Sequence, residues 1–325
     1  MTGWLVDWPA PHALLLACVP ALALAIDRLL GEPAAAWHPV VWMGRALDAM
    51  AGYVAPTRDE QRQLSNWSAM TLAAMGWCTV AVVVYVAAAL LQDWVLAQPV
   101  WLAVPALALC LKPFFSWAML HDGPLAVEQA LARSLPEARA QVAHLVSRPA
   151  QDLGADEVRE AAIESLAENL NDSLVAPLFW FALLGLPGAV LYRFANTADA
   201  MWGYRGVHRG RDWRWAGKWA ARADDVLSWL PARLTALLVC AVAARWPGAA
   251  LWREAARTPS PNSGWPMAAM ALVLGVRLGK PGAYTLNAEG RAPEPADTVR
   301  ACAIGSRTTL AATLLCCAAV LWVLV

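Results

Sequence analysis

The chain has 325 residues; 59% are hydrophobic, only 15% are charged, and the mean hydropathy is +0.43. An ordinary soluble domain is about 45–50% apolar and about 25% charged, so the shortfall here is in surface residues, as lipid as a solvent produces. The 25 Lys and Arg balance the 25 Asp and Glu, which excludes the basic excess of a nucleic-acid-binding domain.

The apolar segments follow in chain order. Ala13–Leu30 is the first, with Asp27 and Arg28 near its end. Its apolar run lacks a basic start and a small-residue cleavage site, so it reads as a retained helix and not a signal peptide. Ala69–Leu91 is 23 residues without a charge, enough to cross a ~30 Å core. Val95–Leu111 follows after a short connection and predicts a helical hairpin. Leu174–Leu191 is interrupted by Gly185, Pro187 and Gly188. Val226–Ala244 carries Pro231 and Arg233, and Leu310–Val325 closes the chain. Pro266–Leu278 is apolar but short, which suits a re-entrant or buried helix. Nineteen tryptophans fit ring anchoring at membrane–water interfaces. The expected fold is all-α: a polytopic membrane protein with amphipathic cytoplasmic helices between spans. It forms a single membrane domain, 1–325, with a polar helical insertion at 121–173 and a basic loop at 192–225. That loop carries Arg193, Arg205, Arg209, Arg211, Arg214, Lys218 and Arg222, and the positive-inside rule puts it in the cytoplasm. Cys18, Cys78, Cys110, Cys240, Cys302, Cys316 and Cys317 form no C-x-x-C pair and lie mostly in apolar runs. They read as small buried hydrophobes, not disulfides or a zinc site.

Five polar stretches are candidates for chemistry. On a helix, Arg159–Asp172 puts Ile163, Leu166, Ala167 and Leu170 on one stripe. Glu160, Glu164, Glu168 and Asp172 fall on the other side, four residues apart. Like charges at that spacing destabilise a helix by a few tenths of a kcal/mol per pair. A carboxylate ladder leading into an apolar segment therefore suits a Mg²⁺ or cation site, with a solvated helix face as the plain alternative. Asn196 and Asp199 share a face after an apolar helix and offer oxygen donors to a metal, sugar or phosphate, or serve as a cap. Asp224 and Asp225 open an apolar helix, where the dipole alone would favour them. Arg233 lies inside that helix, where a guanidinium is costly and suited to a phosphate. Ser260-Pro-Asn-Ser-Gly-Trp-Pro266, with Asn262, forms a turn that offers amides to an anion or simply a turn. Asp27, Glu32 and His38 mark the fifth stretch. No P-loop, G-x-G-x-x-G or G-x-S-x-G is present.

Taken in order, DRLLGEP…HPVVWMG, AAIESLAENLNDSLVAPLFW, GLPGAVLYRFANTADAMWGY, ADDVLSWLPARLTA and SPNSGWPMAAMA resemble the membrane proteins of cobalamin biosynthesis in the CobD/CbiB family. The resemblance covers nearly the whole chain. It departs from the family pattern at Glu32 (Asp expected), Ser173 (Gly expected) and Arg148-Pro-Ala (Arg-Asp-Thr expected), so no role is carried over to Arg148. The resemblance implies an ATP-dependent ligase joining aminopropanol phosphate to adenosylcobyric acid as an amide, with Mg²⁺ as cofactor and ATP as co-substrate. The expected catalytic residues are Glu164, Glu168, Asp172 and Asp199, with Glu168, Asp172 and Asp199 as metal ligands. Asn169, Asn196, Asp224, Asp225, Arg233, Asn262 and His38 are expected at substrate and phosphate. The expected setting is a bacterial inner membrane with the site facing the cytoplasm. A homo-oligomer and association with later membrane enzymes of the pathway stay open. Two rival readings are a Mg²⁺-dependent membrane prenyltransferase and a non-enzymatic corrinoid-handling protein or transporter. Against the prenyltransferase, the chain lacks paired D-x-x-x-D motifs.

Overall fold

A computed structural model describes residues 10–57, 65–146 and 149–325; Arg148 lies outside the described residues. The helices are α1 (Ala10–Ala17), α2 (Val19–Leu30), α3 (Pro39–Val54), α4 (Asn66–Leu96), α5 (Val100–Leu111), α6 (Trp117–Leu131), α7 (Leu135–Val142) and α8 (Ala155–Leu170). A π-helical turn, Asn171–Val175, joins α8 to α9 (Ala176–Leu184), and α10 (Leu186–Trp202) follows. A short hairpin, β1 (Val207–His208) and β2 (Arg211–Asp212), precedes α11 (Lys218–Val242), α12 (Ala249–Ala255) and α13 (Gly264–Leu274). A second hairpin, β3 (Leu278–Lys280) and β4 (Tyr284–Leu286), precedes α14 (Pro295–Leu324). The protein is all-α and polytopic: Pro11–Leu30, α4, α11 and α14 are long and apolar enough to cross a membrane.

Two boundaries differ from expectation, and the interruption expected in Leu174–Leu191 is present. Gly185 adopts φ +70°, which ends α9, and the Leu186 N–H that opens α10 donates to buried Gln92 Oε1 at 2.7 Å. A Cβ at residue 185 would collide with that Gln92 amide, so both the conformation and the space demand glycine. The stretch 192–225 is not mainly loop, because α10 runs to Trp202 and α11 begins at Lys218; only 203–217 connects them. The last helix starts at Pro295, not Leu310. Its first turns are amphipathic and lack the apolar signal of the rest.

Contacts divide the chain into two units. The first comprises the described residues up to Phe115, Pro177–Leu227 and Cys316–Val325. Here α10 packs on α4 and α3, and α2 packs on α5; Tyr192, Phe194 and Trp202 of α10 are fully buried, and Trp77 meets the Phe194 ring at 5.4 Å. The second comprises Ser116–Ala176 and Ser228–Leu315. In it α6, α7 and α8 close a core of Val127, Ala138, Val142, Val158 and Ala161, and α13 and β3 lie against α8. Ten of the eleven residues of α13 are buried, consistent with a helix packed inside protein.

Prolines set several of the polar contacts. Pro177 has no N–H for the Ser173 carbonyl four residues back, and that carbonyl accepts from Ser116 N at 3.0 Å. Pro231 likewise releases the Leu227 carbonyl, which accepts from Trp180 Nε1 at 3.0 Å. In an apolar medium each freed carbonyl would otherwise cost several kcal/mol, on the order of an unmade hydrogen bond.

Candidate functional site

In the second unit, α8 is buried nearly all round, not on one stripe. Glu160 and Glu164 are therefore not a solvated ladder. Glu160 accepts from Arg277 Nε at 3.0 Å, and Glu164 accepts from Tyr284 Oη at 2.6 Å. Burial pushes the Glu160 carboxyl above the usual carboxylate range, and the Arg277 guanidinium pulls it part of the way back. Arg159 clamps Glu128 through Nε and Nη2, both at 2.8 Å, and Thr298 adds a hydroxyl to the same carboxylate at 3.0 Å.

The ladder then enters the π turn, where one extra residue per turn re-aims the side chains; such turns recur at functional positions. Asn169 Nδ2 donates to the Ser165 carbonyl at 3.0 Å, and the Ser173 hydroxyl donates to Asn169 Oδ1 at 3.4 Å. Asn171 Nδ2 donates to Asp172 Oδ1 at 2.7 Å, while Asn171 Oδ1 accepts from buried Thr235 at 3.1 Å. Glu168 and Asp172 are half-buried.

Arg233 projects from α11 into neutral company. Its Nη1 donates to the Trp229 carbonyl at 2.6 Å and to Asn262 Oδ1 at 2.8 Å, and its Nη2 donates to the Pro261 carbonyl at 3.2 Å. The guanidinium carbon lies 4.3 Å and 4.8 Å from the Trp229 and Trp265 rings. Among the described residues it has no carboxylate partner. Asn262 and Arg233 thus form one unit. The amides at the start of α13 are less open than expected, because Ser260 Oγ already accepts from Asn262 N at 3.2 Å and Ser263 N at 3.3 Å.

In the first unit, Asn196 on α10 donates to Asp224 Oδ1 on α11 at 3.5 Å, and Arg193 reaches Asn196 Oδ1 at 3.4 Å. Asp199 lies one turn further along α10 and folds over Gly203, where any Cβ would overlap its carboxylate. Since α11 starts at Lys218, Asp224 and Asp225 lie in its second turn. They are not the N-terminal caps that the sequence allowed. His38 caps a helix. Its Nδ1 accepts from Val40 N at 3.2 Å as the cap of α3, and its Nε2 lies 3.1 Å from Glu32 Oε2. Lys112, a residue the sequence reading passed over, sits between Asp27 at 3.3 Å and Glu32 at 3.1 Å; Lys112 and Asp27 are buried.

Residues 20–310 match the family described as CobD/Cbib protein. The chain belongs to that family. It is 42% identical over 280 residues to the probable cobalamin biosynthesis protein CobD of Thermococcus kodakarensis, covering 86% of this chain and 87% of the relative. The probable cobalamin biosynthesis protein CobD of Methanothermobacter thermautotrophicus is 40% identical over 271 residues, 82% of this chain and 84% of its own. The cobalamin biosynthesis protein CobD of Rhodobacter capsulatus is 38% identical over 325 aligned residues, 94% and 98% of the two chains. No solved structure matches the chain.

Within this family frame the donor sets can be tested against a metal. Among the described residues no three His, Cys, Asp or Glu side chains come together as a metal cage. Mg²⁺ rarely needs such a cage; it is held through one or two carboxylates together with waters and substrate phosphates. Asp199 with the Asn196–Asp224 pair, and Asp172 with Asn171, are oxygen-donor sets of that open kind.

Sequence reasoning also missed Arg277 and Tyr284. Arg277 immediately precedes the second hairpin and Tyr284 opens its second strand, more than a hundred residues from the acids they hold. The one local signal was weak: a basic and an aromatic residue flanking a Pro-Gly turn at Pro281-Gly282.

Proposed function

We propose that this protein acts in cobalamin biosynthesis as an ATP-dependent amide ligase, joining aminopropanol phosphate to adenosylcobyric acid. Family membership supports the pathway. The observation that carries the ligase chemistry is Arg233: a guanidinium in an apolar helix whose partners among the described residues are all neutral. A cation held that way keeps its attraction for an anion, and its planar fork suits phosphate.

In the proposed reaction the free carboxylate of the corrinoid attacks the terminal phosphoryl group of ATP, giving an acyl phosphate and ADP. The amine nitrogen then attacks the acyl carbon, phosphate leaves, and the nitrogen loses a proton to a carboxylate base. Mg²⁺, when bound, would neutralise phosphate charge; the proposed oxygen donors are Asp199 with Asn196 and Asp224 in the first unit and, taken separately, Glu168 and Asp172 in the second. Arg233, oriented by Asn262, steadies the charge on the transferred phosphoryl group. Asn169 and Asp225 are assigned to polar groups of the substrates. Glu164, already held by Tyr284, is assigned to positioning, and so is His38, which caps α3 and meets Glu32. The basic connection 203–217 supports a bacterial inner membrane setting with that side in the cytoplasm.

The test is a coupled assay on detergent-purified protein with adenosylcobyric acid, aminopropanol phosphate, Mg²⁺ and ATP, read by mass spectrometry. Amide product that requires both ATP and Mg²⁺ is expected. Folded protein that binds corrinoid yet yields no amide overturns the ligase reading.

A further inference from the structure

The first unit contains a cavity of about 210 Å³ that none of the residues discussed above as catalytic or binding lines. Its walls include Asp48 from α3, Trp202 from the end of α10, and Tyr204, His208, Arg209 and Arg211 from the connection and its hairpin. Two Arg and one Asp line it, so the balance of charge favours an anion. Hydrogen-bond donors also dominate. The Trp202 indole N–H, a donor only, is buried and has no hydrogen-bond partner among the described residues. A buried donor without an acceptor is costly, and an oxyanion beside it removes that cost.

Size narrows the ligand. Sites for drug-sized molecules enclose about 300–1,000 Å³, so this cavity is too small for a nucleotide. Its aromatic rings are also engaged with one another: Tyr204 stacks on His208 at 3.7 Å and 9°, and Trp202 on Trp213 at 5.7 Å and 21°. Asp48, from α3, brings a carboxylate to the wall, which suits an ammonium. The hairpin brings Arg209 and Arg211; Arg211 Nη1 donates to the Ala55 carbonyl at 2.9 Å, and the guanidinium fork suits phosphate.

We propose that this cavity binds a small phosphorylated amine, with its phosphate on Arg209, Arg211 and the Trp202 indole and its ammonium on Asp48. The proposal rests on the ligase reading in one respect: it makes this ligand the amine co-substrate of that reaction. Arg209 is exposed and adopts φ +49°, a conformation that asparagine tolerates, so Arg209→Asn preserves the turn. Asp48→Asn is a second, exposed change.

The experiment titrates aminopropanol phosphate and, separately, inorganic phosphate into full-length wild-type, R209N and D48N protein in detergent, after thermal melts show all three folded. R209N is expected to weaken both ligands about 10- to 100-fold. D48N is expected to weaken aminopropanol phosphate and leave inorganic phosphate unchanged. Unchanged affinity for aminopropanol phosphate in both variants overturns the cavity assignment. The coupled assay separates the two proposals. Amide formation with an unaltered KM for the amine in both variants sustains the ligase and removes the cavity. Binding that falls in both variants, without amide product from wild type, sustains the cavity and removes the ligase.

Discussion

Two stretches rich in charge, α8 and the end of α10 with its following hairpin, solve the burial of polar groups in opposite ways. On α8 each buried acid is met by a partner at 2.6–3.0 Å: Arg277 for Glu160 and Tyr284 for Glu164, with Arg159 itself clamping Glu128. At the end of α10 the chain leaves a cavity beside a buried indole N–H with no acceptor among the described residues. Short reciprocal pairing stabilises a fold and leaves little capacity for a ligand. A buried donor beside a cavity costs stability and leaves that donor available. The number of carboxylates in a segment is therefore a poorer guide to function than how tightly each is held.

The largest expected effect tests α10. Asp199→Ala should lower amide formation by about 10²–10⁴-fold, with a melting temperature close to wild type. A large drop in melting temperature instead would place Asp199 with the structural acids. Next comes the tight side: Arg159→Ala leaves Glu128 buried without its clamp and should cost about 3–5 kcal/mol, read as loss of folded protein on denaturant titration in detergent. A wild-type-like midpoint would show that the clamp is not structural. Gly185→Ala should cost about 1–3 kcal/mol, because it strains a φ of +70° and crowds Gln92. Tyr284→Phe removes one hydroxyl donor and should cost about 1–2 kcal/mol while leaving turnover nearly intact.

The smallest effect is a pH dependence. Glu160 has its folded pKa raised above the ordinary value of 4.5, chiefly by burial. It binds its proton more tightly folded than unfolded, so its contribution to stability is full below the unfolded value. That contribution is lost as pH rises through the raised folded value. Glu160→Gln should therefore flatten the fall of melting temperature with pH just above 4.5. An unchanged slope would mean that Arg277 fully offsets the burial.

How far residue order alone could lead is clearest in particular segments. Ala69–Leu91 is unambiguous as a span, because 23 uncharged residues leave the backbone no solvent except itself. The five ordered motifs were enough to point to the family. Arg233 was legible as a polar group to watch, since a guanidinium in an apolar helix must find partners; only the fold shows that Asn262 is one. The caps assigned to Asp224 and Asp225 were not, because the true start of α11 lies in residues with no apolar signal.

Local periodicity and the cost of burying charge thus determined the membrane class, most of the spans and the polar segments worth attention. Tertiary structure alone decided which of those polar groups are tied down. Glu160 and Glu164 meet partners 117 and 120 residues away, and no window of sequence contains both members of such a pair. The cavity beside Trp202 follows the same logic: a helix end, a hairpin and α3 come together there only once apolar packing has set their positions. Spacing along the chain encodes the face of a helix; which chemistry meets that face is set by packing between segments far apart in sequence.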